Sequence, residues 1–219
     1  MTREATFYIQ GVIWDPPIED HLRSVIDKPV HNGAGIIMAI DGIQSRKDAR
    51  ESLEEIDDDL WNWSSWFYHA VSSGSPTIGV RDPDTAKIVG FCSMARDAFV
   101  AGSPFTGLVD LNLEITAVYI RPDYRGRGYA TSLREAAAAY LRSIIDTIAA
   151  IPSEDIKDLA LQGLSVAVSS YPESQEGLAF ANRLSGEVET HLAAIADKAW
   201  FGQAVFIDET DPEEAPSPI

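Results

Sequence analysis

Apolar and polar residues alternate most clearly between Leu111 and Ile120, where odd-numbered and even-numbered side chains fall on opposite faces of an extended strand. Both faces carry apolar residues, which predicts a central strand. Arg121 and Pro122 end it, because proline has no N–H for a ladder and biases the preceding residue away from helix. After a glycine-arginine turn, strong helix formers predict a long helix that starts near Gly128. Its apolar stripe consists of Leu133, Ala137, Tyr140, Leu141 and Ile144.

The pattern is weaker in the N-terminal region. Residues 5–14 are strand-like and end at an Asp-Pro-Pro sequence, so they are a candidate for the first strand of the sheet. Residues 18–27 resemble a helix, and Ser45 is a suitable N-cap for a second helix through residue 56. The apolar run 36–40 between them is too short to assign to strand or helix from periodicity. We therefore predict an elongated helical region over about residues 17–75.

A β-hairpin is predicted farther along the chain. Residues 77–81 and 87–95 are β-prone, and Asp82-Pro83-Asp84-Thr85 between them has the proline and aspartates that a turn favours. A further strand then leads to the strand at Leu111 through the loop 102–107. These strands are therefore expected to be successive and antiparallel.

The C-terminal part adds further elements. A short extra helix is predicted from Pro152 to Gly163, and residues 164–170 alternate as a strand. The apolar, β-prone residues 199–207 are a candidate closing strand. The segment 208–219 is acidic and rich in proline, so we expect it to be disordered. The chain is thus predicted to be one domain over residues 1–207 followed by this tail.

The turn between the strand at Leu111 and its helix is a candidate anion site. The first N–H groups of a helix lack intrahelical partners and lie at the positive end of the helix dipole, and glycines let a phosphate approach them. The turn is Arg125-Gly126-Arg127-Gly128-Tyr129-Ala130. This hexapeptide resembles the (Gln/Arg)-x-x-Gly-x-(Gly/Ala) signature of the GNAT superfamily of acyl-CoA-dependent N-acetyltransferases, in which it also follows a strand. The resemblance covers about residues 77–186.

The resemblance implies an α+β fold with a mixed, mostly antiparallel sheet of about six or seven strands flanked by helices. It also implies acetyl-CoA as co-substrate and acetyl transfer to a primary amine. In the family, main-chain N–H groups of the turn hold the CoA pyrophosphate; the matching residues here are Arg125, Gly126, Arg127, Gly128, Tyr129 and Ala130. The strand main chain pairs with the pantetheine arm and polarises the thioester carbonyl, and the matching residues are Val118, Tyr119 and Ile120.

Two residues are candidates for acid-base chemistry. Family members that use a glutamate base on this strand have it eleven residues before the first motif residue, and Glu114 occupies that position here. The alternative interpretation of Glu114 is a polar residue on a half-exposed strand. At the position of the tyrosine that protonates the thiolate in the family, the nearest aromatic residue is Phe180, which has no proton to donate. Tyr171, at the end of a predicted strand, is either a substitute acid or an amphipathic residue at the rim.

Acidic residues outnumber basic residues by 34 to 17, and the formal net charge is −17. Such a surface repels phosphate backbones, so we do not expect a nucleic-acid partner. It would attract a cationic small-molecule or peptide amine as acceptor, although an acidic surface also serves solubility alone. Residues 51–69 combine acids with aromatics and are interpreted either as a cation-binding stretch or as a solvated helix face beside a tryptophan core. The alternative function is a catalytically inactive GNAT-fold protein that serves as an acidic binding or regulatory module.

The remaining composition argues against several classes of protein. The four histidines have no ligand spacing, so no metal site is expected. The single cysteine, Cys92, lies in an apolar run and is predicted to be a buried structural thiol. No apolar run is long enough to span a membrane, and the first ten residues lack the regions of a secretory signal. We therefore expect a cytoplasmic protein without a membrane partner; the sequence leaves open whether it forms a homodimer.

Overall fold

The computed structural model describes residues 7–8, 35–38, 76–85, 88–103, 106–150, 161–172, 174–196, 199 and 203–210. The helices predicted at 18–27 and 45–56 and the acidic and aromatic stretch 51–69 lie outside these residues. Most of the extra helix predicted after Pro152 and residues 211–219 of the predicted tail also lie outside them.

The described residues form strands, a short 3-10 helix and two α-helices. The strands are β1 (Phe7–Tyr8), β2 (Gly35–Met38), β3 (Thr77–Arg81), β4 (Ile88–Ser103), β5 (Thr106–Ile120), β6 (Leu161–Ser170) and β7 (Gln203–Thr210). The 3-10 helix is Pro122–Tyr124, and the α-helices are α1 (Tyr129–Ala149) and α2 (Gln175–Ala196).

Within the described part of the chain, the strands form one mixed sheet in the order β2-β3-β4-β5-β6-β7, and β1 pairs with β4. The pairs β1–β4, β2–β3 and β3–β4 are antiparallel. Strands β6 and β7 are parallel, from Gly163 opposite Gln203 to Ser170 opposite Thr210. Helix α2 lies between them in the chain and supplies the crossover that a parallel pair needs. The predicted α+β fold with a mixed sheet and helices is confirmed.

The hairpin, the strand at Leu111 and its helix are also confirmed. Strands β3 and β4 pair on either side of the turn, with a register shift between Val80 and Arg81. Strand β5 ends at Ile120, and α1 begins at Tyr129, one residue after the predicted start. The apolar run 36–40, unassigned from the sequence, contains β2.

Two strand boundaries in the middle of the chain differ from the prediction. Strand β4 continues to Ser103 as one strand of 16 residues instead of breaking into a further strand, because residues 96–101 contain neither glycine nor proline. Strand β6 begins at Leu161, so the extra helix does not extend to Gly163 as predicted. Gly163 instead pairs with Gln203 in the parallel ladder.

The closing strand is also longer at its end than predicted. It spans Gln203–Thr210 and not residues 199–207, so the assignment of Asp208 and Glu209 to a disordered tail is wrong. These two residues pair with Val168 and Ser169. Pairing uses the main chain, and both carboxylates stay exposed to solvent, so their charge does not prevent the strand. The carboxylate of Asp208 also accepts the N–H of Thr210 at 3.0 Å.

Burial follows the predicted alternation and helical stripe. On β5, Leu111 and Leu113 are buried, whereas Asn112 is exposed. On α1, all five residues of the predicted apolar stripe are buried. Helix α2 buries one face at the spacing expected for a helix packed on a core. That face consists of Phe180, Ala181, Leu184, Ser185, Val188 and Leu192.

The chain divides into two compact units. The first consists of Met1–Pro17, Arg96–Glu114 and Leu141–Ile219. In it, the pairs Arg142–Glu187 (3.6 Å) and His191–Asp146 (2.7 Å) join α1 to α2. The second consists of Ile18–Ala95 and Ile115–Tyr140, and it contains the hairpin turn, the end of β5 and the turn before α1.

Candidate functional site

A 3-10 helix ends strand β5 in the second unit. Pro122 fits the start of this helix because the N–H that proline lacks has no partner there. The N–H of Tyr124 donates to the carbonyl of Arg121 at 2.9 Å, and the N–H of Arg125 donates to the carbonyl of Pro122 at 3.1 Å. The Arg125 N–H is therefore already used, and the N–H groups left for an anion begin at Gly126.

Two glycines turn the chain into α1. Gly126 has a φ of 72° and Gly128 a φ of 90°, a region that side chains disfavour. The N–H of Ser132 donates to the carbonyl of Gly128 at 3.1 Å, so Gly128 is the N-cap of α1. No hydrogen bond to another described residue uses the N–H groups of residues 126–131. A Cβ built on Gly126 would have no atom within 4 Å, so the space beside the turn is open.

Three arginines surround the turn. The guanidinium carbons of Arg121 and Arg127 lie 5.2 Å and 5.1 Å from the centre of the Tyr124 ring, within the range of cation–π attraction. Arg125 Nε donates to the carbonyl of Ile120 at 3.1 Å. Arg121 is buried and pairs with Asp123 at 3.9 Å, so the exposed positive charge beside the turn comes from Arg125 and Arg127. Together with the unused N–H groups at a helix start, this fits the pyrophosphate of CoA.

The main chain of Val118–Ile120, which the family resemblance assigns to the thioester, lies just before the turn. The N–H of Arg121 donates to the carbonyl of Val89 at 2.9 Å, so the Arg121 main chain faces β4. Main-chain groups of successive strand residues point to alternate sides. The main-chain groups of Tyr119 therefore also face β4, whereas those of Val118 and Ile120 face away from it.

Gly90 lets β4 and β5 approach each other closely at this point. A Cβ at residue 90 would overlap Cδ1 of Ile120 and would lie 2.6 Å from the carbonyl oxygen of Tyr119. The Tyr119 oxygen belongs to the main chain, so it cannot avoid the Cβ by a change of side-chain rotamer. Gly90 therefore determines how close the main chain of Tyr119 lies to β4.

A buried hydrogen bond joins the hairpin turn to the start of α1. The Tyr129 hydroxyl donates to Asp82 Oδ2 at 2.7 Å, and the two residues are 9% and 5% exposed. The bond from Tyr129, followed by the N–H of Thr85, lowers the pKa of Asp82 below its usual value. Burial, and then the bond to Asp82, raises the pKa of Tyr129 to about 12. Near neutral pH the pair therefore consists of a carboxylate and a protonated hydroxyl.

The candidate acid-base residues lie in the first unit. Glu114 is partly exposed on β5, as its predicted role requires for access to a substrate. Tyr171 directly follows β6, and 59% of its surface is exposed. Phe180 is buried in α2, and it offers no hydroxyl. The roles of Glu114 and Tyr171 stay predictions.

The sequence does not identify Asp82 or Gly90 as site residues. Turn propensity already explains Asp82, and nothing local indicates that its second oxygen binds Tyr129, 47 residues later in the chain. Gly90 does leave a signal, because a glycine inside an apolar strand marks a close approach of another main chain. That signal does not reveal which main chain approaches.

Three further expectations from the sequence concern a buried thiol, a metal site and a membrane-spanning helix. Cys92 is fully buried, as predicted, and burial raises its pKa to about 12. The described residues contain no group of three or more His, Cys, Asp or Glu side chains that could hold a metal ion. None of the helices formed by these residues is long and apolar enough to cross a membrane.

Comparison with known families identifies the family of the chain. The model of the acetyltransferase (GNAT) family matches residues 43–154, which is more than half of the chain. The match includes the turn before α1, and it begins and ends earlier than the span 77–186 suggested by the resemblance. No curated protein matches the chain.

Solved structures overlap the chain only loosely. The ribosomal-protein-alanine N-acetyltransferase from Brucella melitensis biovar Abortus 2308 is 18% identical, with 69% of this chain and 90% of that chain covered and a TM-score of 0.32. An acetyltransferase from Trypanosoma brucei is 17% identical, with 69% and 90% covered and a TM-score of 0.30. The family of the chain therefore rests on the family match over residues 43–154.

Proposed function

Because the chain belongs to the acetyltransferase (GNAT) family, we propose that it transfers the acetyl group of acetyl-CoA to a primary amine. The observation that supports this most is the turn before α1: among the described residues none accepts a hydrogen bond from the N–H groups of residues 126–131, and the space beside Gly126 is open. When bound, acetyl-CoA supplies an activated thioester. Residues 126–130 would hold its pyrophosphate. The main-chain groups of Val118 and Ile120, which face away from β4, would pair with its pantetheine arm and polarise the carbonyl, whereas those of Tyr119 face β4.

In the proposed reaction, a C–N bond to the amine forms and the C–S bond of the thioester breaks. Glu114 accepts the proton that the amine nitrogen loses. Tyr171 donates a proton to the leaving sulfur, because Phe180 has none to give. Tyr129 is a poor alternative donor, since its hydroxyl is bonded to Asp82 and its pKa is about 12.

For the acceptor, we propose an amine that carries positive charge beyond the nitrogen that reacts. The support is the net charge of −17, which raises the local concentration of cations around the protein. Polyamines and basic peptides have this chemistry. The acidic and aromatic stretch 51–69 is the part of the sequence that would contribute most to such recognition.

An amine panel at two salt concentrations tests the acceptor. Each cationic amine is paired with a neutral amine of equal length, and kcat/KM is measured with acetyl-CoA. We expect the cationic amines to react faster and to lose this advantage with salt, because the Debye length shrinks from about 10 Å at 0.1 M to about 3 Å at 1 M. Preference for neutral amines without salt dependence would contradict the cationic acceptor. Tight CoA binding without transfer to any amine would favour the inactive binding module.

A glycine pair tests the cofactor assignment separately. Gly128→Ala forces a side chain into a φ of 90°, so the helix start should shift and the Kd for CoA should rise about tenfold or more. Gly186→Ala is the matched control, because Gly186 lies within α2 and a Cβ there would have no atom within 4 Å. Isothermal calorimetry with CoA measures both variants. Equal affinity in the two would remove the turn from the cofactor site.

A further inference from the structure

We propose that Asp82 is a positioning residue for the cofactor turn: by binding the Tyr129 hydroxyl it holds the first residue of α1, and with it the N–H groups that receive the pyrophosphate of CoA. This inference rests on the proposed function. Asp82 belongs to the hairpin turn and acts only through Tyr129. It is therefore not a catalytic residue.

The two oxygens of the Asp82 carboxylate have separate partners. Oδ1 accepts the N–H of Asp84 at 2.9 Å, the N–H of Thr85 at 2.8 Å and the Thr85 hydroxyl at 3.2 Å. These bonds close the hairpin turn around the carboxylate and fix its orientation. Oδ2 then presents one rigid acceptor to Tyr129, at 2.7 Å in a buried environment.

The turn itself needs such an anchor. Residues 125–127 are exposed, and the glycines on both sides of Arg127 have no side chains to pack. In the described part of the chain, two side-chain hydrogen bonds hold the segment 125–129 to the rest of its unit. One runs from Arg125 Nε to the carbonyl of Ile120, and the other from Tyr129 to Asp82. The Tyr129 ring also packs edge-on against the Tyr124 ring at 5.8 Å.

Charge and position predict opposite effects for the loss of Asp82. A carboxylate near a phosphate site repels the ligand, so charge alone predicts that its removal improves CoA binding. If Asp82 acts by positioning, its removal weakens CoA binding although a repulsive charge is lost. The sign of the change in affinity therefore separates the two explanations.

The test is a set of variants of the full chain, with the Kd for CoA measured by calorimetry. Tyr129→Phe and Asp82→Ala should each raise the Kd about tenfold, the effect expected for one lost hydrogen bond to a charged group. The double variant should be no weaker than either single variant, because both remove the same bond. Asp82→Asn keeps an acceptor for the turn and an amide near the tyrosine, so it should recover part of the affinity.

Two control variants make the same chemical changes away from this bond. Asp84→Asn removes an exposed charge two residues from Asp82, and Tyr140→Phe removes a tyrosine hydroxyl eleven residues farther along α1. Both should leave the Kd for CoA within about twofold of the wild type, because neither side chain bonds the helix start through the group that is removed. A Kd for Tyr129→Phe within twofold of the wild type would overturn the inference, and so would single effects that multiply in the double variant.

Amide hydrogen exchange without CoA keeps this result separate from the proposed function. Residues 126–131 should exchange faster in Tyr129→Phe than in Tyr140→Phe if Asp82 holds the turn. A wild-type protein that does not bind CoA would refute the proposed function and the role of Asp82 in cofactor binding. CoA binding with unchanged exchange in Tyr129→Phe would refute the positioning alone.

Discussion

Replacing Gly90 by alanine would push β5 away from β4 at the segment that we assign to the thioester. The new Cβ would overlap Cδ1 of Ile120 and lie 2.6 Å from the carbonyl oxygen of Tyr119. The side chain of Ile120 can relieve its overlap by changing rotamer. The Tyr119 carbonyl cannot, so the main chain there has to move by about 0.7 Å to reach a carbon–oxygen separation of roughly 3.3 Å.

These displacements give the expected loss of stability. Overpacking a close-packed region costs about 1–3 kcal/mol. An unfolded chain with alanine in place of glycine has less backbone entropy to lose on folding, which offsets about 0.5–1 kcal/mol of that cost. The net loss lies between about 0 and 2.5 kcal/mol, and because one obstructing atom belongs to the main chain we expect Gly90→Ala to fall in the upper part, about 1–2.5 kcal/mol. The Kd for CoA should rise as well, because Tyr119 and its neighbours change position.

Urea denaturation of three variants measures this effect. Gly186→Ala is the matched control and should raise the free energy of unfolding by about 0.5–1 kcal/mol, since it replaces an unobstructed glycine in a helix. Adding Ile120→Val to Gly90→Ala removes Cδ1 and should restore part of the stability, but not the position of the Tyr119 carbonyl. The reasoning is refuted if Gly90→Ala stays within 0.5 kcal/mol of the wild type and binds CoA equally well.

Further predictions concern a catalytic base, a thiol and the alkaline limit of stability. Glu114→Gln should lower kcat by roughly 10²–10⁴ with the Kd for CoA unchanged, and near wild-type rates from pH 6 to 9 would place the base elsewhere. Cys92 should react with a thiol reagent at pH 7.5 only after denaturation, and rapid reaction of the native protein would contradict its burial. Because the pKa of Tyr129 is about 12 when folded and about 10 when unfolded, its contribution to stability is full below pH 10 and is lost as the pH rises to 12. Melting temperatures of Tyr129→Phe should therefore fall less over this range than those of the wild type.

The parts of the site that depend on main-chain conformation are predictable from the sequence. A proline, two glycines and a run of helix formers are local signals, and the structure has a turn with positive φ at Gly126 and Gly128 and a helix that begins at Tyr129. The buried stripe of α1 follows from spacing alone.

The parts that depend on distant partners are not predictable in this way. Asp82 has the sequence of an ordinary turn residue, and its bond to Tyr129 exists only because the fold brings the hairpin turn to the helix start. The end of β7 also depends on a distant partner. Aspartate and glutamate are depleted in strands, but Asp208 and Glu209 are held in one by pairing with β6. Tertiary pairing outweighs local preference in both cases.

The acidity of the chain and the cationic turn act over different distances. The electrostatic field of the net charge of −17 reaches roughly one Debye length from the surface, about 10 Å at 0.1 M salt. The arginines of the turn instead act at contact distance. An anionic cofactor is therefore repelled on approach and held only where guanidinium groups and helix N–H groups have a fixed geometry. The Tyr124 ring beside Arg121 and the Ile120 carbonyl that binds Arg125 supply such constraints. The cationic acceptor that we propose would instead be attracted at long range and would not need the arginines, so one acidic surface would serve two substrates of opposite charge.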